Sequence, residues 1–99
     1  MKEVSVTRTL KPLLKNKKLI RKITKYYDLE SRKDIYRIYL KRGCVSCYDG
    51  CELDTTEYDC SGNIDEDAKN IDGWLNEILY TPDELKEAIE KGNIIEYLD

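Results

Sequence analysis

The chain contains no histidine. That absence removes Ser-His and Cys-His nucleophile pairs, imidazole acid/base catalysis and histidine metal ligands together. Phenylalanine and glutamine are also missing, and there is one tryptophan, so eight tyrosines supply nearly all of the aromatic surface. No apolar run approaches the roughly 18 residues of a membrane-spanning helix, and the opening Met-Lys-Glu-Val-Ser-Val lacks the apolar stretch of a signal peptide. The expectation is a soluble, intracellular protein, in the cytoplasm of its cell, that makes no membrane contact. Carboxylates are too plentiful for any two to be singled out for acid/base work, so no catalytic residue is assigned and the chain is read as not an enzyme.

What is present is charge, and it is sorted along the chain. Before Cys44 there are 14 Lys and Arg against four acids, about +10; from Cys44 onward three lysines face 16 acids, about −13. The net charge of −3 hides two opposite poles, a pattern that points to nucleic-acid or partner contacts rather than to a fold. Ninety-nine residues make one domain, 1–99, large enough for a single modest core.

The apolar pattern predicts the elements. Val4 and Val6 alternate with polar neighbours as a short strand would. Thr9 can cap a helix with Pro12 in its first turn, and Leu10, Leu13, Leu14, Leu19, Ile20, Ile23, Tyr26 and Tyr27 continue at helical spacing, so an amphipathic helix is read from Thr9 to Tyr27. Asp34 to Arg42 alternates Tyr36, Ile38 and Leu40 with Arg37, Tyr39 and Lys41. A strand pairing with Tyr26–Leu29 around Glu30 to Lys33 is favoured over a helix capped by Ser31 and stopped at Gly43. Ile64, Ala68, Ile71, Leu75 and Ile78 form one helical stripe, with Asp65, Glu66 and Asp67 in its first turn. Thr81-Pro82-Asp83-Glu84 opens a helix running to Lys91, before Gly92. Asn93 to Leu98 closes as a short strand or tail. The fold class is α+β: a small single domain with about three helices, a small antiparallel sheet and an irregular centre.

That centre holds all four cysteines, Cys44, Cys47, Cys51 and Cys60. Four thiolates can form one structural zinc site, two disulfides can staple the segment, or the thiols can stay reduced; the intervals match no common iron–sulfur run. In its size, its Tyr/Ile/Lys/Glu bias and its lack of glutamine, as in Lys17-Lys18-Leu19-Ile20-Arg21-Lys22-Ile23-Thr24-Lys25-Tyr26-Tyr27, the chain resembles the small orphan proteins of hyperthermophilic archaeal filamentous viruses. The resemblance is one of composition, rests on no motif and transfers no functional residue. It implies a virus-encoded, thermostable protein. It also makes disulfides the preferred account of the cysteines, because intracellular proteins of hyperthermophiles are disulfide-rich. An AT-rich genome would produce the same bias with no thermal meaning.

Two surfaces carry the functional expectations. Lys15, Lys18, Arg21, Lys22 and Lys25, with Lys11 and Lys17, would stud the outer face of the first helix and meet phosphates, and Tyr26 and Tyr27 could stack bases. The acidic half could instead occupy a nucleic-acid groove on another protein. Opposite poles would let two copies associate weakly head to tail, helped by exposed Tyr36 or Tyr39; Trp74 is assigned to the core. The reading is a small non-enzymatic interaction or regulatory protein with no cofactor. The alternative is a nucleic-acid-binding module on the basic helix, with one structural zinc held by the four cysteines.

Overall fold

The computed structural model describes residues 2–92, so the strand or tail expected over Asn93–Leu98 lies outside the described residues. Four antiparallel strands form one sheet in the order β1-β2-β3-β4: β1 is Val4–Ser5, β2 Ile20–Asp28, β3 Lys33–Leu40 and β4 Thr55–Asp59. Helix α1, Thr7–Leu10, is a single turn; α2, Ile64–Ile78, and α3, Pro82–Glu90, follow the sheet. The class is α+β, as the composition and periodicity predict.

The strand reading of 34–42 holds. β2 and β3 pair from Ile20↔Leu40 to Asp28↔Lys33 around a turn in which Arg32 takes a left-handed φ of 56°. Tyr36, Ile38 and Leu40 face inward and are buried with Ile20 and Ile23 of β2. Helix α2 lays its Ala68, Ile71, Leu75 and Ile78 stripe on that face, and Leu10 and Leu14 close one end of the core. Asn63 caps α2 by accepting from the Glu66 N–H, and Thr81 with Glu84 forms a capping box on α3. Trp74 is half-buried; its Nε1 donates to Thr56 Oγ1 at 2.9 Å and its ring meets Tyr58 at 6.1 Å.

The first helix is the main correction. Between Thr9 and Tyr27 the chain makes the end of α1, two short 3-10 turns at Lys11–Leu13 and Lys17–Leu19, and strand β2. The cause is a bulge between Ile20 and Lys22, where β2 advances two residues while β3 advances one. Arg21 is the extra residue. The bulge sets Ile20 and Ile23 both inward three residues apart, which imitates a helical step inside a strand. Tyr36, expected on the surface, is buried at 5% exposure, and Tyr39 is half-buried.

The second correction is the cysteine staple. No sulfur–sulfur contact joins any two of the four cysteines, and among the described residues no group of three Cys, Asp or Glu is arranged to hold a metal ion. Cys44 points into the core, Cys47 Sγ donates to the Glu77 carbonyl (3.1 Å), and Cys60 Sγ lies 3.3 Å from the Tyr36 hydroxyl. Backbone bonds hold the centre instead. Ser46 N–H donates to Cys51 O (2.9 Å), Leu53 N–H to Cys44 O (2.8 Å), Cys47 N–H to Ile78 O (2.9 Å) and Tyr80 N–H to Val45 O (3.1 Å), tying the loop to itself and to the exit of α2. Among the described residues no helix is long and apolar enough to cross a membrane.

Candidate nucleic-acid interface

The bulge in β2 organises the basic residues. An extra residue in one strand puts two consecutive side chains beside the same partner. Here the Arg21 guanidinium lies 5.5 Å and the Lys22 ammonium 4.5 Å from the centre of the Tyr39 ring, both within cation–π range. Tyr39 sits opposite Lys22 in the ladder, and its hydroxyl donates to Glu3 Oε1 at 2.8 Å. The ring is thus fixed at its tip while its face carries two cations.

More cations gather at the same end of the sheet. Lys41 N–H donates to the Leu19 carbonyl at 2.8 Å, which sets Lys41 and Arg42, just past β3, against the turn bearing Lys17 and Lys18. All of these lysines are exposed, and among the described residues no ion pair uses Lys17, Lys18, Arg21, Lys22 or Lys41. The turn is anchored from below. Asp72 of α2, buried at 8% exposure, accepts the backbone N–H of Lys15 (2.8 Å) and of Asn16 (2.9 Å), and Asn16 Nδ2 donates to Asn76 Oδ1 at 3.0 Å. An acid of the acidic half therefore positions the basic loop without facing its ammonium groups.

The rest of the open sheet face is self-neutralised. Arg37 donates to Glu57 through Nε (3.1 Å) and Nη2 (2.9 Å) and to Glu3 through Nη1 (3.3 Å), and its guanidinium covers the Tyr26 ring at 4.9 Å. Lys33 pairs with Asp59 at 2.7 Å. Hydrogen bonds from Thr24 and then Tyr39, followed by the Arg37 and Lys22 charges, hold the Glu3 carboxyl below its ordinary value against the opposing effect of burial. The middle of this face thus has its cations engaged by acids, while at the bulged end Lys17, Lys18, Arg21, Lys22 and Lys41 enter no ion pair among the described residues.

Of the five lysines and arginines singled out from the sequence, Lys18, Arg21 and Lys22 come together. Lys15 lies on the anchored loop, and Lys25 sits opposite Val4 and Tyr36 on the inner-face register, away from Tyr39. Tyr26 is buried with its hydroxyl on Glu57 (2.6 Å), so it is not free to stack, and Tyr27 is exposed near the far end of β2. Lys41 and Tyr39 were not foreseen as part of this corner. The signal was present, since pairing Tyr26–Leu29 with the strand from Asp34 also brings the start of β2 beside Leu40 and Lys41.

A second polar centre lies inside. Asp67, fully buried, accepts from the Tyr36 hydroxyl (2.6 Å), the Ser61 hydroxyl and the Ser61 N–H (3.0 Å), with Cys60 Sγ at 3.6 Å. Burial pushes its pKa up, but the hydrogen bonds from Ser61 and Tyr36 outweigh it and leave the carboxyl below its usual range. Burial and the facing Asp67 push the Tyr36 phenol well above its ordinary value. Burial, with Glu52 nearby, raises the Cys44 thiol. These groups are held in protonation states that suit packing, with Asp67 tying the head of α2 to β3. No protein-family model matches this chain, and no curated protein or solved structure is similar to it.

Proposed function

We propose that the chain is a non-enzymatic interaction module whose bulged, basic corner binds the phosphate backbone of nucleic acid. The observation that carries this reading is the pair Arg21 and Lys22 over Tyr39, flanked by Lys17, Lys18 and Lys41, with no acid paired to any of them among the described residues. Exposed cations that form no ion pair remain available to a polyanion, although Lys22 also feels the Glu3 charge, whereas Arg37 and Lys33 are already paired with acids. Tyr39 offers a ring that a base could share with the two cations. The buried acids Asp67 and Asp72 are engaged in holding the fold, which supports a binding rather than a catalytic role. The reading requires no cofactor.

Fluorescence anisotropy with a labelled 20-nucleotide single strand and the same sequence as a duplex tests it. About four phosphate contacts would give a salt slope near −3 to −4, so affinity falls by about two orders of magnitude between 50 and 200 mM salt. The combined Lys18→Glu, Arg21→Glu and Lys22→Glu variant weakens binding at least tenfold on every sequence alike, because phosphate contacts carry no base code. No binding at 50 mM salt, or a variant that binds as well as the parent, overturns the proposal.

A further inference from the structure

Three separately anchored pieces of chain meet around one cleft: the loop carrying Asn16 and Leu19, the segment of Gly43 and Cys44 after β3, and the junction of α2 with α3. Asp72 holds the first through the Asn16 N–H (2.9 Å). The Tyr80 N–H ties the junction to the Val45 carbonyl (3.1 Å), and the Thr81–Glu84 capping box sets the start of α3. Each wall is thus fixed by its own backbone bonds, and about 220 Å³ between them is filled by no described residue. Gly43 adds to the gap: its φ is 93°, and a Cβ built there would meet nothing within 4 Å.

The lining states what the cleft can take. Leu19, Cys44, Leu75, Leu79 and Leu85 give it apolar walls, and no charged side chain lines it. Burial, then the Glu52 charge, raises the Cys44 thiol, so that wall is neutral at pH 7 as well. The acids beside the walls are engaged: Glu52 accepts from the Gly43 N–H (2.9 Å) and Glu84 from the Thr81 N–H (3.0 Å). An ion entering such a lining would lose its hydration and gain no partner, which selects a neutral molecule. Two polar groups of the lining have donors to spare. Asn76 Oδ1 is taken by Asn16 Nδ2 at 3.0 Å, whereas among the described residues nothing accepts from Asn76 Nδ2 or from the Tyr80 hydroxyl. A ligand that satisfies them carries an acceptor oxygen. The volume exceeds the roughly 150 Å³ of an apolar cavity that takes up benzene, and falls short of the roughly 300 Å³ at which sites for larger ligands begin. It has room for one ring and a small substituent.

We propose that this cleft binds a small neutral ring compound bearing one carbonyl or hydroxyl oxygen, with its ring against the leucine walls and its oxygen at Asn76 Nδ2 and the Tyr80 hydroxyl. The apolar walls supply affinity and the donors at the mouth supply orientation. The proposal rests on the cleft alone and not on the nucleic-acid reading, because none of the lysines and arginines of the basic corner lines it.

Acetophenone, one ring with one carbonyl, titrated into the full chain and followed by methyl and amide NMR tests the proposal. The expected result is that the Leu19, Leu75, Leu79 and Leu85 methyls and the Asn76 side-chain amide shift together and saturate, with a dissociation constant on the order of 0.1–1 mM. Ethylbenzene, of similar shape but with no acceptor, should bind about fivefold more weakly. Benzoate, which brings a charge, should bind at least tenfold more weakly. Leu85→Trp fills the cleft and should lower acetophenone affinity at least tenfold while oligonucleotide affinity stays as in the parent, so the two readings fail separately. A thermal melt checks that this variant folds, and the ligand comparisons decide the matter without it. Shifts elsewhere, equal binding of ethylbenzene or benzoate, or full binding by folded Leu85→Trp would each overturn the proposal. So would nuclear Overhauser contacts from residues 93–99 to these methyls before ligand is added, which would assign the cleft to the chain's own end.

Discussion

Asp67 shows how one side chain can hold an otherwise exposed junction. It sits in the first turn of α2, where a carboxylate complements the helix dipole, and reaches across to Tyr36 on β3 and to Ser61 in the connection before the helix. Its lowered pKa fixes the sign of the acid response. As pH falls, the unfolded chain takes up the proton first, near pH 4, while the folded carboxyl resists protonation to a lower pH. The stabilisation is therefore complete above about pH 4 and is lost as pH drops through the folded value. Glu3, Asp28 and Glu84 are lowered as well and act in the same direction. Urea unfolding from pH 7 to pH 2 should show stability falling below about pH 4. Asp67→Asn should cost about 2–3 kcal/mol at pH 7, since it leaves buried donors with a weaker acceptor, and should flatten the acid limb. An unchanged acid limb in that variant would contradict the assignment.

At the scale of elements, the basic loop and α2 form one unit. The Lys11–Leu13 and Lys17–Leu19 turns have no side-chain caps, and so short a pair of turns is marginal by itself. Asp72 supplies what they lack by accepting two consecutive backbone N–H groups. Asp72→Ala should destabilise the protein by about 2–3 kcal/mol in urea unfolding, with the loss of two charge-assisted bonds. It should also weaken nucleic-acid binding severalfold, because Lys17 and Lys18 lose their fixed position. Asp72→Asn, which keeps one acceptor, should fall between. Full affinity in Asp72→Ala would mean that the loop takes no part in binding.

Across the whole molecule, two elements were legible because their signals were redundant. Helix α2 has a five-residue apolar stripe and acids in its first turn; α3 has a complete capping box. The β2–β3 hairpin was legible from the alternation of Tyr36, Ile38 and Leu40. The start of β2 was not, because a bulge turns the two-residue repeat of a strand into the three-residue step between Ile20 and Ile23, and the basic residues between them then read as the outer face of a helix. The same bulge builds the candidate site, so helix-based reasoning found Lys18, Arg21 and Lys22 but not Tyr39 or Lys41. The cysteines misled for a different reason. Their spacing is compatible with a staple, yet backbone pairing with the exit of α2 holds the segment, and pairing of that kind leaves no mark in residue spacing.

The central claim is that one corner of the sheet, and no other surface, meets nucleic acid. Two-dimensional amide NMR of the chain with an unlabelled oligothymidine at 50 mM salt tests it most directly. The account predicts shifts concentrated at Lys17 to Lys22 and Tyr39 to Arg42 that vanish at high salt, with α2 and α3 unmoved beyond the Asp72 anchor. Shifts spread over α2 or α3, or none at saturating oligonucleotide, would contradict it.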